Sequence, residues 1–169
     1  MSSRVREALF SMVGQQLDGI TVLDAFGGSG LLGFEAASRG ATLTTVERNR
    51  SAARQIGETA AQFGIEIDLR VVDVNTVFGT AEWDLVLLDP PYADDPLRWA
   101  ERASASVGSV LVIAHRSGAS WPDVLGALAL DRSRRHGDST LTIYRRGDNA
   151  GEEESSVVLD DLGVVEDDR

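Results

Sequence analysis

Four acidic residues stand where an apolar segment ends and a loop begins: Asp24, Glu47, Asp73 and Asp89. The apolar segments have the length of buried strands, and helical patterns separate them. This alternation predicts a parallel, doubly wound α/β sheet, in which the carboxyl ends of the strands meet at one edge. Because such sheets bind their ligands at that edge, the four carboxylates are predicted to share one site.

A glycine-rich loop follows Asp24. The segment Gly28-Ser29-Gly30-Leu31-Leu32-Gly33 matches the dinucleotide-binding pattern G-x-G-x-x-G, with Glu47 nineteen residues after its first glycine. In that motif the strand runs directly into the first glycine, so that a pyrophosphate reaches the helix N-terminus. Here Asp24 to Phe26 intervene, and the Asp24 carboxylate would repel a pyrophosphate. A cofactor that carries an ammonium group and no phosphate fits better, and S-adenosylmethionine has that chemistry.

The loop and the strand ends together predict the cofactor contacts. Glycines allow the aminoacyl end of S-adenosylmethionine to approach the backbone closely. Glu47 can accept hydrogen bonds from both ribose hydroxyls, and Asp73 or the N–H of Val74 can bond to adenine. The predicted cofactor-binding residues are Asp24, Phe26, Gly28, Gly30, Glu47, Asp73 and Val74. The alternative is a glycine-rich turn that only packs a helix against a strand.

The segment Asp89-Pro90-Pro91-Tyr92 ends the most apolar predicted strand, because consecutive prolines cannot extend a central strand. An exocyclic amine of a nucleobase is a poor nucleophile, since its lone pair is delocalised into the ring. Acceptors on Asp89 and the Pro90 carbonyl would favour a tetrahedral nitrogen and its developing positive charge. Pro91 restricts the backbone, and Tyr92 offers a face on which a base can stack. These four residues are predicted to be catalytic, and the alternative is a plain turn.

Composition excludes several kinds of site. The chain has 169 residues and no cysteine, which excludes disulfide frameworks, thiolate nucleophiles and cysteine-based zinc sites. With two histidines, His115 and His136, no metal centre is predicted. No apolar run is long enough to span a membrane, and residues 1–4 lack the apolar core of a signal peptide. We therefore expect a cytoplasmic protein without a membrane partner.

The net charge of −11 is concentrated near the C-terminus. Residues 147–169 contain nine acidic residues and one arginine, whereas residues 1–146 contain 18 acidic residues and 15 arginines. The sequence predicts a folded domain over 1–146 and a disordered acidic tail over 147–169. We expect this tail to compete with RNA for the arginines of the domain, so that its deletion tightens RNA binding at low salt.

Other local patterns complete the predicted architecture. A helix is predicted over 3–17, capped by Ser3, and another from Ser120 to about Leu128. The segments 130–135 and 140–144 predict an antiparallel hairpin. The residues predicted to pack rather than to catalyse are His115, Trp83, Trp99 and Trp121.

Several segments resemble a known family, the RsmD-type guanine-N2 methyltransferases of small-subunit ribosomal RNA. Residues 24–41 and 4–10 are similar to its first motif and opening helix, 88–92 to its catalytic motif, and 135–144 to its closing hairpin. The resemblance covers about residues 4–146. It implies a Rossmann-like, mostly parallel sheet of seven strands whose last strand is antiparallel. It also implies S-adenosylmethionine as cofactor and a guanine in ribosomal RNA, within a partly assembled particle, as substrate.

Contacts to RNA phosphates need positive charge, which the domain offers only as local clusters. The predicted RNA-binding residues are Arg4, Arg6, Arg134, Arg135 and Arg145. The alternative is a solvated arginine surface with local salt bridges.

The leading hypothesis is a monomeric, S-adenosylmethionine-dependent N-methyltransferase that acts on the N2 amine of a guanine in small-subunit ribosomal RNA. The catalytic motif leaves other targets open, namely adenine N6 in DNA or RNA and a protein amide. Alternatives of other classes are a non-catalytic module that binds S-adenosylmethionine and RNA, and a nicotinamide oxidoreductase.

Overall fold

The computed structural model describes residues 1–147, so the tail predicted over 147–169 lies outside the described residues except for Gly147. The helices are α1 (Ser3–Val13), α2 (Leu31–Ser38), α3 (Arg50–Phe63) and α4 (Pro96–Ala103). The strands are β1 (Thr21–Asp24), β2 (Thr42–Val46), β3 (Ile67–Arg70), β4 (Trp83–Leu88), β5 (Val107–Arg116), β6 (Val124–Leu125), β7 (Leu128–His136) and β8 (Ser139–Arg146). Short 3₁₀ segments cover Val74–Thr76 and Ser104–Ser106.

All of these strands form one sheet in the order β3-β2-β1-β4-β5-β8-β7-β6. Strands β1 to β5 are parallel, whereas β8 is antiparallel to both β5 and β7. The strand order reverses at β1, which pairs with β2 on one side and β4 on the other. A ligand site is expected above the carboxyl ends of these strands. The predicted doubly wound, mostly parallel sheet is confirmed, and so is the hairpin of β7 and β8.

The helix predicted from Ser120 to about Leu128 is wrong. Residues Val124–Leu125 form β6, which reverses through Gly126 into β7. Gly126 adopts a φ of 59°, a left-handed conformation that allows the tight reversal. Leu125 and Leu128 on either side of this turn are both buried in the core beneath α4. The short hairpin is therefore held by burial, and it raises the strand count from the expected seven to eight.

Helix α1 is shorter than the predicted range 3–17. Gly14 has a φ of 131°, in the region that glycine favours, and the helix ends at the residue before it. At the other end the hydroxyl of Ser2, rather than that of Ser3, accepts a hydrogen bond from the N–H of Val5 at 3.4 Å. Met1, two residues before α1, lies beside the carboxyl ends of the strands, because its α-amino nitrogen is 3.3 Å from Asp89 Oδ2.

Apolar side chains pack on both faces of the sheet. Helices α1 and α2 cover one face, mainly through Val5, Leu9, Phe10, Leu32 and Ala36. Helix α4 covers the other face through Ala100 and Ala103. With both faces covered, the edge where the parallel strands end is left for a site. No helix within residues 1–147 is long and apolar enough to cross a membrane.

Candidate active site

A cavity of about 240 Å³ opens at the carboxyl ends of β1 to β4. The predicted cofactor-binding residues that line it are Phe26, Gly28, Glu47, Asp73 and Val74. The predicted catalytic residues that line it are Asp89 and Pro91. The structure thus brings five of the seven predicted cofactor-binding residues and two of the four predicted catalytic residues into one cavity, hereafter the first cavity.

Asp24 lies close to the first cavity but is fully buried and does not line it. Its Oδ2 accepts a hydrogen bond from the N–H of Gly33 at 3.1 Å, and its Oδ1 has no hydrogen-bond partner among residues 1–147. Burial raises the pKa of Asp24 to about 7; the amides of Phe26 and Gly33 oppose this shift, and the charges of Asp89 and Glu47 add to it. A buried carboxylate in this state would be stabilised by a nearby cation.

The glycine loop is held tightly against its surroundings. Gly30, the residue before α2, has a φ of 80°, and a Cβ at this position would lie 2.7 Å from the ring of Phe34. Gly27, which the sequence pattern did not single out, has the same constraint, because a Cβ there would lie 2.7 Å from Thr45 and 3.0 Å from Ile56. These two glycines are buried and shape the loop, while Gly28 faces the first cavity.

Glu47 connects the glycine loop to the start of α3. Its Oε2 accepts from the N–H of Gly28 at 2.8 Å, and its Oε1 accepts from the N–H of Asn49 at 2.6 Å. Each carboxylate oxygen has a second lone pair. Glu47 can therefore accept hydrogen bonds from ribose hydroxyls while it continues to hold the loop.

Asp73 stands at the start of the 3₁₀ segment that follows β3. Its Oδ1 accepts from the backbone N–H of Asn75 at 2.9 Å and from the side-chain amide at 2.7 Å. The hydrogen bonds from Asn75 lower the pKa of Asp73, and the charges of Arg48 and Arg102 lower it further. The Asp73 carboxylate is thus a charged hydrogen-bond acceptor at the rim of the first cavity, next to the buried Val74.

Asp89 follows β4, and its Oδ2 lies 3.3 Å from the α-amino nitrogen of Met1. These two groups form an ion pair, so this oxygen contacts a nitrogen donor of the chain itself. Two residues further along, Pro91 lines the first cavity and also a second cavity of about 200 Å³. Pro90 and Tyr92 line the second cavity and not the first, so the four predicted catalytic residues are divided between two adjoining spaces.

The second cavity lies between the Pro-Pro bend and the end of β5. Tyr92 is 63% exposed, and the Arg116 guanidinium carbon lies 5.0 Å from the centre of its ring. Arg116 was not singled out in the sequence, although it ends a strand at the same edge as the four acids. A search for basic as well as acidic residues at the ends of the predicted strands would have identified Arg116.

Trp99 also has a position that the sequence did not indicate. It lines the first cavity, packs edge-to-face on Phe26 with ring centres 5.2 Å apart, and donates from Nε1 to Asp94 at 3.1 Å. No local pattern distinguishes this tryptophan from a core residue, because its contacts depend on how α4 docks on the sheet. Trp83, in contrast, is buried as predicted, with its Nε1 donating to Thr44 at 3.2 Å.

The predicted RNA-binding arginines are spread over the surface. Arg6 borders a cavity of about 190 Å³ beside the glycine loop and Asp89, and Arg135 borders a larger cavity beside Tyr92. Arg145 is not near these cavities, since it pairs in register with Val110 toward the start of β5 and its Nε lies 3.0 Å from Asp131. The remaining two are exposed, namely Arg4 and Arg134.

The charges around the first cavity discriminate between cofactors. Its charged lining residues are Glu47, Asp73, Asp89, Asp94 and Arg48. An excess of carboxylates repels the pyrophosphate of a dinucleotide and attracts a ligand with sulfonium and ammonium groups. The donor and acceptor set therefore fits S-adenosylmethionine and disfavours a nicotinamide dinucleotide. Among residues 1–147, no group of three or more His, Asp or Glu side chains is arranged to hold a metal ion.

Comparison with known proteins places the chain in a family. The model of the family described as Conserved hypothetical protein 95 matches residues 1–145. A protein of Bacillus subtilis named "Putative rRNA methyltransferase YlbH" is 27% identical over 158 residues, which cover 86% of each chain. The Escherichia coli "Ribosomal RNA small subunit methyltransferase D" is 34% identical over 96 residues, 54% of this chain and 48% of that protein.

A solved structure of a conserved hypothetical protein from Streptococcus pyogenes superposes with a TM-score of 0.76 at 29% identity, covering 85% of this chain and 96% of that chain. The family match extends over nearly all of the residues that the structure describes. The resemblance inferred from the motifs is thereby confirmed. The chain belongs to the Conserved hypothetical protein 95 family, the family of RsmD-type methyltransferases.

Proposed function

We propose that this chain transfers a methyl group from S-adenosylmethionine to the exocyclic N2 amine of a guanine in small-subunit ribosomal RNA. The observation that carries the proposal is the position of Pro91, which lines both the acidic first cavity and the second cavity beside Tyr92. A methyl donor and a nucleobase can therefore approach each other at one bend. Family membership and the name of the Escherichia coli relative support ribosomal RNA as the substrate.

The first cavity holds the cofactor. Glu47 would accept hydrogen bonds from the ribose hydroxyls, Asp73 and Val74 would contact adenine, and Gly28 would leave room for the aminoacyl end. The Asp24 carboxylate would attract the ammonium group from beneath the loop. When bound, S-adenosylmethionine supplies an electrophilic methyl group on a positively charged sulfur.

The corner after β4 prepares the amine for attack. Tyr92 stacks on the guanine and holds its N2 amine near Asp89. The Asp89 carboxylate and the Pro90 carbonyl accept the amine N–H groups, which concentrates the lone pair on nitrogen and stabilises the positive charge that develops there. Pro90 and Pro91 restrict the backbone before the substrate arrives, so little reorganisation is needed during the reaction.

Residues 1–146 contain the catalytic domain, and residues 147–169 modulate RNA binding. The chain acts as a monomer in the cytoplasm, on ribosomal RNA in a partly assembled small subunit.

Transfer of tritium from labelled S-adenosylmethionine tests the proposal. Unmethylated small-subunit particles, free ribosomal RNA, DNA and a protein extract are compared as acceptors. We expect label in the ribosomal RNA, recovered after nuclease digestion as N2-methylguanosine. Label in N6-methyladenosine or in protein would identify a different target. A wild-type protein that binds the cofactor but labels none of these acceptors would contradict the proposal.

A further inference from the structure

A third cavity, of about 480 Å³, lies next to the second one at the turn between β7 and β8. Its lining residues are Tyr92, Arg116, Ser117, Arg135, Asp138 and Ser139. Two arginines and one aspartate make its side-chain charge positive, which contrasts with the acidic first cavity. The second and the third cavity share three lining residues, namely Tyr92, Arg116 and Ser117. The two cavities therefore adjoin each other beside the Tyr92 ring.

The backbone around the third cavity is firmly positioned. Arg116 pairs in register with Ser139 across β5 and β8, and the N–H of Ser117 donates to the Asp138 carbonyl at 3.1 Å. Arg135 donates from Nε to the Gly137 carbonyl at 2.8 Å, which orients its guanidinium group at the turn. Arg116 therefore lies at the cavity from the end of β5, whereas Arg135 lies there from β7.

Buried polar side chains add a further constraint on Arg116. The Arg116 carbonyl can only accept, so the His115 Nδ1, which lies 2.7 Å away, carries the proton and donates. The neutral ring then accepts at Nε2 from the Thr142 hydroxyl at 2.8 Å, and Ser133 lies 2.6 Å from the same hydroxyl. Burial lowers the pKa of His115, in agreement with a neutral ring. The end of β5 is thus fixed from the interior of the sheet.

We propose that Arg116 and Arg135 form a binding site for a backbone phosphate of the RNA, adjoining the nucleotide whose base stacks on Tyr92. This inference rests on the proposed function and adds a phosphate contact to it. Guanidinium groups suit the task because they donate paired hydrogen bonds to phosphate oxygens. The Asp138 carboxylate lies in the same cavity and partly offsets the positive charge. Arg116 consequently has two contacts, its guanidinium lying over Tyr92 and reaching the phosphate beside the base.

The salt dependence of RNA binding tests this site directly. Each lost phosphate contact on a single strand reduces the slope of log affinity against log salt concentration by about 0.7. We expect that reduction for Arg116→Ala and for Arg135→Ala, measured by fluorescence anisotropy with a labelled transcript of small-subunit ribosomal RNA. Arg116→Lys retains the charge and should keep the wild-type slope. Asp138→Asn removes the opposing carboxylate and should tighten binding at every salt concentration.

Arg132→Ala is the matched control, because Arg132 lies on the same strand as Arg135 but is paired with Asp131 at 3.0 Å. It makes the same change in net charge and should leave the slope within error of wild type. Calorimetry with S-adenosylhomocysteine should give wild-type affinity for every variant, which shows that the fold is intact. Equal slopes for wild type, Arg116→Ala and Arg135→Ala would overturn the phosphate site. Absence of RNA binding by the wild-type protein would instead contradict the proposed function.

Discussion

Asp24 and Asp89 terminate neighbouring parallel strands, and the charge of Asp89 contributes to the raised pKa of Asp24. Asp24 pairs in register with Leu87, two residues before Asp89. One carboxylate is buried beneath the glycine loop, whereas the other lines the first cavity. The glycine loop and the Pro-Pro bend are therefore coupled, because the charges of these two carboxylates interact.

Replacing Asp24 by Asn should change how stability depends on pH. The pKa of Asp24 is about 7 in the folded protein, against 3.8 for an ordinary aspartate, so the folded state binds more protons between these values. The free energy of unfolding of the wild type should therefore fall as the pH rises from about 4 to about 7. In Asp24→Asn this contribution, at most about 4 kcal/mol, should be absent. Urea denaturation at pH 5 and pH 8 measures it, and identical pH profiles would contradict the expectation.

Replacing Gly27 by Ala should damage the cofactor loop. The added methyl group would lie 2.7 Å from Thr45 and 3.0 Å from Ile56, both on elements beneath the loop. Overpacking of this kind costs about 1–3 kcal/mol, and the displaced loop should bind S-adenosylhomocysteine more weakly. Thermal unfolding and calorimetry measure the two effects.

Gly57→Ala provides the control for that change. Gly57 lies within α3, where an added Cβ would be 3.7 Å from Leu69, an ordinary contact. Alanine is favoured over glycine within a helix by about 1 kcal/mol, so this variant should be as stable as the wild type or more stable. Equal losses of stability and cofactor affinity in both variants would show that the tight packing of Gly27 is irrelevant.

Asp89→Ala should separate catalysis from cofactor binding. Removing a single preorganised group that stabilises developing charge typically reduces turnover by about 10²–10³-fold. Asp89→Asn keeps one oxygen acceptor and should lose less activity. Tritium transfer to ribosomal RNA gives the rates, and calorimetry with S-adenosylhomocysteine gives the affinity. A large loss of cofactor affinity in both variants, with turnover unchanged at saturation, would assign Asp89 to binding alone.

Tyr92→Ala should weaken capture of the substrate base. Stacking of a base on an aromatic side chain contributes about 1–3 kcal/mol, which corresponds to a rise in KM of about 5–150-fold. Tyr92→Phe retains the flat face and should have nearly the wild-type KM. Steady-state kinetics with ribosomal RNA as the varied substrate distinguishes the two variants. A KM for Tyr92→Phe as high as that of Tyr92→Ala would point to the hydroxyl instead of the ring.

The first cavity could largely be anticipated from local sequence. Apolar runs determine where the strands end, and right-handed crossovers bring the ends of parallel strands to one edge. Glu47, Asp73 and Asp89 were therefore placed together without coordinates, as were Gly28 and Pro91. The two segments of the closing hairpin were also predictable, because alternation and turn residues act over only a few positions.

The tertiary structure decided the details that depend on contacts between distant segments. It placed Asp24 beneath the loop and Gly30 in the buried part of the loop, both outside the cavity wall, and it turned Trp99 toward Phe26. It also brought Arg116 over Tyr92, a contact between the last residue of β5 and the loop that follows β4. Hydrophobic periodicity specifies which side of an element is buried, but the neighbour that each side chain meets is set only when helices and strands dock and fill the shared core. For this reason the sequence predicted which residues meet at one edge of the sheet, whereas the burial and the contacts of each residue required the folded structure.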